Sequence, residues 1–188
     1  IGNGLQEQYK KLMKTSMDIL LMISMPAAIG MICTSDILIL LFSGKEFLVG
    51  SLAAKILSAK VVVSAINRVL AYQVCTPYKM DKEVLISTAS GAIFNLFANA
   101  ILIPVAGVTG ASVATLLSEV IVFLVLSKYA KEVLDTRKLY DRLWIYGAIS
   151  ILFVFVRMIM NKLFESSILC LGGTMSICIV LYVVILLI

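Results

Sequence analysis

The chain of 188 residues contains no histidine, and only 14% of its residues are charged. Without histidine it lacks the usual zinc ligand and the usual proton shuttle near neutral pH. Its four cysteines show no CxxC spacing and all lie in apolar segments, so they are interpreted as small buried apolar residues. These cysteines are Cys33, Cys75, Cys170 and Cys178. We therefore predict no metal site and no cofactor.

The shortage of charge also excludes a soluble globular domain. Hydrophobic residues make up 61% of the chain, and its mean hydropathy is +1.06. Soluble domains are about 45–50% apolar and about 25% charged. The sequence shows no ten-residue alternating pattern of membrane strands. It also has no nucleophile–base pair, no carboxylates paired at one depth and no phosphate-binding glycine loop, so it is not expected to be an enzyme. The composition predicts an all-α, polytopic membrane protein.

Six apolar stretches are long enough to cross a bilayer as helices. They are predicted near residues 17–42, 52–76, 84–103, 108–129, 143–161 and 167–188. Only short loops join them, which leaves no room for a soluble domain. The fold expected from this pattern is a bundle of about six transmembrane helices.

The first residues, IGNGLQEQYKKLMKTS, are interpreted as a polar loop that enters the first helix. Within that helix Pro26 removes the hydrogen bond to the Met22 carbonyl and predicts a kink. The chain starts at Ile1 without an initiator methionine and without a signal-peptide pattern. We interpret it as a fragment whose N-terminal part is missing.

The placement of lysine and arginine predicts the orientation in the membrane. Ten of the sixteen basic residues fall on one side, and only Lys45 and Lys162 fall on the other. The ten are Lys10, Lys11, Lys14, Lys79, Lys82, Lys128, Lys131, Arg137, Lys138 and Arg142. By the positive-inside rule, the N-terminus and the loops at 77–83 and 128–142 are cytoplasmic, and after six crossings so is the C-terminus. Because these residues lie at span ends, the net charge of +5 indicates a lipid bilayer as partner and not a nucleic acid.

Three charged residues lie deep within predicted spans: Lys60, Arg68 and Glu119. A charge near the bilayer centre costs at least ~2.5–3.5 kcal/mol, so each needs a partner or a water-filled cavity. Four others lie within about two turns of a span end, where snorkelling to the interface explains them. These four are Asp18, Asp36, Lys55 and Arg157.

The second predicted span is the most polar one. Lys60, Ser64, Asn67 and Ala71 share one helical face, and Arg68 lies roughly 80° to the side of Lys60. This cationic flank is equally consistent with the wall of a hydrated cavity that accepts an anionic group and with a buried helix face matched by its neighbours.

The third and fourth spans add amides and a carboxyl group. Asn95 and Asn99 share a face, where helix packing is the more common use of such amides and substrate contact is the alternative. Glu119 lies near the middle of its span, so it is expected to pair with Lys60 or Arg68, or to be protonated. A proton- or cation-coupling role and a structural ion pair both stay open. The complete set of candidate cavity residues is Lys60, Ser64, Asn67, Arg68, Asn95, Asn99 and Glu119.

The stretch from Asn95 to Glu119 resembles the N…N..LIP..G..GA..AT..SE pattern of the C-terminal half of polysaccharide biosynthesis flippases. The matching residues are Asn95, Asn99, Leu102, Ile103, Pro104, Gly107, Gly110, Ala111, Ala114, Thr115, Ser118 and Glu119. Upstream, a second group resembles the preceding helix of that family. It consists of Pro26, Ala28, Gly30, the run ILILLFSG at 37–44, and Phe47.

The resemblance implies a two-lobed transporter fold of the superfamily that includes MATE drug antiporters. Residues 1–130 would form the last four helices of the C-terminal lobe, and residues 131–188 a cytoplasmic loop with two additional helices. The implied function is the transfer of undecaprenyl-diphosphate-linked oligosaccharide repeat units to the outer leaflet of the bacterial cytoplasmic membrane. The implied partners are that lipid-linked oligosaccharide and other membrane proteins that assemble O-antigen, capsule or exopolysaccharide.

Two further hypotheses stay open. A drug or cation antiporter of the same superfamily would use Glu119 and Asp36 for a cationic substrate or a coupling ion, whereas an anionic diphosphate favours a net positive cavity. The deep residues are two bases and one acid, which favours the anionic substrate. The other hypothesis is a membrane scaffold that transports nothing.

Overall fold

The computed structural model describes residues 3–134 and 139–163, together with the isolated helical positions Gly173 and Ser176. Its four helices are α1 (Asn3–Phe42), α2 (Ser51–Arg68), α3 (Asp81–Val133) and α4 (Leu143–Leu163). A 3-10 helix, Lys45–Gly50, joins α1 to α2, and a π-helical segment, Val69–Cys75, with a 3-10 turn, Thr76–Tyr78, extends α2. The described residues contain no strand, so the all-α class is confirmed for this part of the chain.

The described part of the chain is a helical membrane protein. Three helical stretches are long and apolar enough to cross a bilayer: Glu7–Phe42, Lys45–Tyr78 and Asp81–Val133. Helix α4 coincides with the fifth predicted span. The sixth, at 167–188, lies outside the continuously described residues. The count of six crossings therefore stays a prediction.

Helix α1 begins much earlier than the sequence pattern indicates. The polar stretch before residue 17 is helical from Asn3, so its interpretation as a loop is wrong. Its residues Met13 and Met17 continue a stripe to Leu21 that is almost completely buried, and this packing stabilises the polar end as helix. At 40 residues α1 is roughly 60 Å long, well beyond the ~30 Å hydrocarbon layer. It contains Pro26 without ending there, and the kink stays a prediction.

Helix α3 is folded back on itself at Gly107. This residue has φ 54° and ψ −130°, a conformation that favours glycine, and it divides α3 into arms at 81–106 and 108–133. The arms run antiparallel and very close together. A Cβ atom on Gly110 would collide with the backbone of Leu102, and one on Gly91 would collide with the Val122 side chain. The turn predicted at 104–107 thus lies where the chain reverses.

Long-range contacts bring three segments to one end of the bundle. The Tyr9 hydroxyl donates to the Gln73 carbonyl at 2.5 Å, and its ring contacts that of Tyr78 with centroids 6.3 Å apart. Lys14 pairs with Asp141 at 3.5 Å. The start of α1, the turn after α2 and the start of α4 therefore lie together. Within the described residues, this end includes Lys10, Lys11 and Lys14 of α1, Lys79 and Lys82 after α2, and Arg142 before α4.

The main apolar core lies near the same end. It joins the first half of α1 to the π-helical segment, the second arm of α3 and the start of α4. Cys75 is fully buried within it and Cys33 is half-buried, and both carry free thiols. The interpretation of Cys75 as a small buried apolar residue is confirmed, whereas Cys170 and Cys178 lie outside the described residues.

The shared end gives a sharp test of orientation. In a variant whose reactive cysteines are replaced, we expect Lys45→Cys to react with a membrane-impermeant maleimide in intact cells. Lys82→Cys, at the basic end, should react only after permeabilisation, because the positive-inside rule predicts that the lysine-rich end faces the cytoplasm. The opposite labelling pattern would reverse the orientation.

The close approach of the α3 arms predicts a large effect of one methyl group. Gly110→Ala should lower the free energy of unfolding by about 1–3 kcal/mol, because the backbone of Leu102 cannot move aside. Thermal unfolding in detergent micelles measures this. Gly147→Ala is the matched control, since nothing lies within 4 Å of its added Cβ. Equal melting temperatures for the two variants would contradict the packing described here.

Candidate functional site

A cavity of about 410 Å³ lies between α2, its π-helical extension and both arms of α3. Polar and charged side chains form much of its wall. They are Lys60, Asn67, Arg68, Tyr72, Thr88, Asn95, Thr115, Ser118 and Glu119. Small and apolar residues complete the lining, among them Ala71, Val84, Gly91 and Ala92. A concave site of this size is in the range that holds small ligands or a headgroup.

The central element of the wall is the Glu119 carboxylate. Lys60 approaches one of its oxygens at 3.4 Å, and the Asn67 side-chain amide donates to the other at 2.7 Å. The same amide donates to the Glu119 backbone carbonyl at 3.0 Å. These contacts join α2 to the second arm of α3. They select one of the alternatives that the sequence left open, since Glu119 pairs with Lys60 and not with Arg68.

The amide orientation of Asn67 follows from these contacts. Its nitrogen faces two acceptors on Glu119, so its side-chain oxygen must point the other way. Asn67 is only 6% exposed, and this oxygen is buried without a donor within the described residues. Asn67 therefore satisfies the Glu119 carboxylate and leaves its own side-chain oxygen without a hydrogen-bond donor.

Arg68 supplies the remaining charge of the cavity. It is exposed, and no ion pair involves it within the described part of the chain. Because Lys60 and Glu119 offset each other, the charge balance of the lining is positive through Arg68. Tyr72, which is 68% exposed, lies one turn further along the same wall. The lining thus includes both a guanidinium and an exposed aromatic ring.

The opposite wall consists of amides and hydroxyls on α3. Asn95 donates weakly to the Ser118 hydroxyl at 3.4 Å, and Asn99 donates to the Asn95 side-chain oxygen at 2.8 Å. Thr115, which also lines the cavity, donates its hydroxyl to the Ala111 carbonyl at 2.8 Å. The two asparagines thus act in sequence, with Asn99 orienting Asn95 and Asn95 lining the cavity.

Five of the seven predicted residues line this one cavity: Lys60, Asn67, Arg68, Asn95 and Glu119. The other two do not. Ser64 is half-buried outside the lining, and Asn99 lies one turn beyond it. Sequence reasoning missed Tyr72, although its spacing of four residues from Arg68 was a usable signal.

The charged residues near span ends are paired as well. Lys55 binds both oxygens of Asp36, at 2.8 Å and 3.0 Å, and Ser51 donates to the same carboxylate. Arg142 lies 3.5 Å from Asp18. Snorkelling is therefore an incomplete explanation for Asp18, Asp36 and Lys55, because each also has an ionic partner. Asp36 lies outside the cavity lining, which removes it from any shared site with Glu119.

No protein-family model, curated protein or solved structure matches this chain. Within the described residues, no group of three cysteine, aspartate or glutamate side chains is placed to hold a metal ion. The cavity chemistry is therefore that of a hydrogen-bonding, net cationic recess in a membrane protein.

The Lys60–Glu119 pair is expected to behave as a coupled unit. Lys60→Met and Glu119→Gln should each destabilise the protein, because each leaves one partner without its counter-charge in a mostly buried site. The double variant should recover part of the loss, giving a coupling free energy of about 1 kcal/mol. Unfolding in detergent by denaturant titration provides the four values of the cycle. Additive effects would show that the two charges are stabilised independently.

Proposed function

We propose that the chain is part of a membrane flippase for undecaprenyl-diphosphate-linked oligosaccharides, which it moves from the cytoplasmic to the outer leaflet. The observation that carries this proposal is the uncompensated Arg68 in a polar cavity whose other two charges pair with each other. The resemblance of residues 26–119 to polysaccharide biosynthesis flippases supports the same substrate class.

The chemistry of the wall suits a phosphorylated glycan. A guanidinium binds phosphate oxygens through two parallel hydrogen bonds, which a paired lysine cannot offer. The hydroxyls and amides of Thr88, Asn95, Thr115 and Ser118 suit the hydroxyls of a sugar. Tyr72 offers an exposed ring against which an apolar sugar face can pack. Together these groups would hold the diphosphate–sugar junction while the lipid chain stays in the bilayer.

In this proposal the described helices act as one wall of a larger transporter. Residues 1–130 would belong to the C-terminal lobe, and residues 131–188 would contribute the additional helices. Alternating access arises when one helical repeat rocks against another around a fixed site. Transport is therefore proposed for the two-lobed protein and not for these helices alone.

A cation antiporter is the second candidate, because the cavity lining contains the carboxylate of Glu119. Such a protein would hold a cation against the carboxylate. The position of Lys60 counts against it, since its ammonium group already occupies that place. A scaffold without transport activity would leave the cavity residues unimportant for export.

The test uses the full-length parent gene. We expect its deletion to abolish the surface polysaccharide and to cause accumulation of the lipid-linked repeat unit. Arg68→Ala should reduce complementation on the order of tenfold, the effect of losing a charge-assisted hydrogen bond of ~1.5 kcal/mol. Lys60→Ala and Glu119→Gln report on the rest of the cavity. Radiolabelled sugar incorporation and extraction of the lipid-linked precursor provide the two readouts.

Two control variants sharpen the result. Arg68→Lys keeps the charge but loses the planar fork, so it should recover export only in part. Lys82→Ala removes an exposed charge outside the cavity and should complement fully. Normal export in the deletion strain, combined with raised drug sensitivity, would replace the flippase by the antiporter. Full activity of every cavity variant would favour the scaffold.

A further inference from the structure

The segment Val69–Cys75 interrupts the α-helical pattern in the middle of the polar wall. It is π-helical, and its last turn closes when the Thr76 backbone N–H donates to the Ala71 carbonyl, five residues back. The Thr76 hydroxyl donates to the same carbonyl at 3.0 Å. A π-helical turn holds one residue more than an α-helical turn, and such turns occur frequently at functional sites.

The position of this segment divides the cavity lining. Lys60, Asn67 and Arg68 precede it on α2, whereas Ala71 and Tyr72 belong to it. Any change in the winding of this segment must therefore change how the cavity residues of α2 are oriented relative to the cavity residues of the segment.

Each flank of the segment has its own anchor. On the N-terminal side, Lys60 and Asn67 are held by Glu119 of α3, and Lys55 is paired with Asp36 of α1. Within the segment, Val69 and Leu70 at its start and Val74 and Cys75 at its end are fully buried in the core. The Tyr9 hydroxyl of α1 donates to the Gln73 carbonyl at 2.5 Å. Tyr9 thus satisfies a carbonyl of the widened turn, where the regular helical pattern is lost.

We propose that Val69–Cys75 is a register switch. When the widened turn rewinds into an α-helix at constant chain length, one flank must advance by one residue relative to the other. One residue corresponds to a rotation of about 100° and a shift of about 1.5 Å. In this proposal the N-terminal flank turns, because it is held by polar side-chain contacts that can exchange partners, and it carries Lys60, Asn67 and Arg68 away from Glu119.

The switch connects cavity occupancy with helix geometry. A ligand anion that engages Lys60 weakens the contact that holds the N-terminal flank. The rotated register then becomes more populated, because one of the contacts that favour the widened turn has been lost. This inference goes beyond the proposed function and does not depend on the identity of the cargo.

Pulsed electron-paramagnetic-resonance distances test the switch directly. Spin labels at Leu57→Cys on α2 and Ile93→Cys on α3 report the rotation in the full chain reconstituted in nanodiscs. Cys33, Cys170 and Cys178 are replaced by serine, while the fully buried Cys75 is retained. At a Cα radius of ~2.3 Å, the rotation moves the α2 backbone by ~3.5 Å, and the label moves further.

Tyr9→Phe removes the hydroxyl that holds the widened turn and keeps the ring. We expect this substitution to raise the population with the label distance of the rotated register about fivefold relative to the population with the widened turn. About fivefold is the factor set by the loss of one net hydrogen bond. Tyr78→Phe is the matched control, because it removes a hydroxyl from the ring that contacts Tyr9 and leaves the hydrogen bond from Tyr9 to Gln73 in place. Deletion of Gln73 removes the extra residue, so both flanks fit one continuous α-helix. The distance distribution should then contain a single population instead of two.

Two outcomes would overturn the proposal. The first is an identical distance distribution for Tyr9→Phe, Tyr78→Phe and the parent protein. The second is a persistent second distance after deletion of Gln73, since that motion would then arise elsewhere. If the deletion variant does not fold, the comparison of the two phenylalanine variants still decides the question.

Discussion

The arrangement of α2 and α3 depends on one carboxylate placed deep in an apolar bundle. Glu119 receives a lysine ammonium and an asparagine amide from the neighbouring helix, so its charge is matched before any ligand arrives. In a low-dielectric setting such contacts are costly to leave unmade. This requirement fixes which face of α2 meets α3, and the cavity is the space that remains beside the matched charges.

Small residues make this match geometrically possible. Gly91 and Gly110 let the two arms of α3 approach until side chains and backbone touch, which brings Asn95 beside Ser118. The reversal at Gly107 then places the amides of one arm and the carboxylate of the other on a single wall. Bulk at either contact glycine would separate the arms and widen the site, as is general for close helix packing in membranes.

Much of the cavity could be predicted from the sequence, because burial in lipid penalises charge whatever the details of packing. Depth and helical period were enough to place Lys60, Asn67, Arg68 and Glu119 on one site. The hairpin was predictable for a similar local reason, since proline fixes its own φ angle and glycine adopts the positive φ that a tight reversal requires.

The remaining features depend on tertiary contacts. The helical start of α1 is stabilised by buried methionines that contact distant segments, so no local pattern revealed it. The ion pair of Lys55 with Asp36 joins residues nineteen positions apart across the 3-10 connection, whose geometry no local sequence pattern predicts. The π-helical segment adds one residue to a turn. A helical pattern read over several turns changes little when one residue is inserted, so the sequence did not reveal this segment. Ser64 was wrongly predicted to line the cavity, because the helical face defined by sequence spacing is wider than the part of α2 that borders the cavity.

The start of α4 is attached to α1 by two ion pairs of opposite polarity. Lys14 meets Asp141 and Asp18 meets Arg142, with each helix contributing one base and one acid. The partners are separated by more than a hundred residues, so the polar end of α1 must remain unpaired while the intervening helices are synthesised. If α4 crosses the bilayer as the sequence predicts, these pairs also depend on its direction of insertion, because an inverted α4 would place Asp141 and Arg142 on the far side of the bilayer from Lys14 and Asp18.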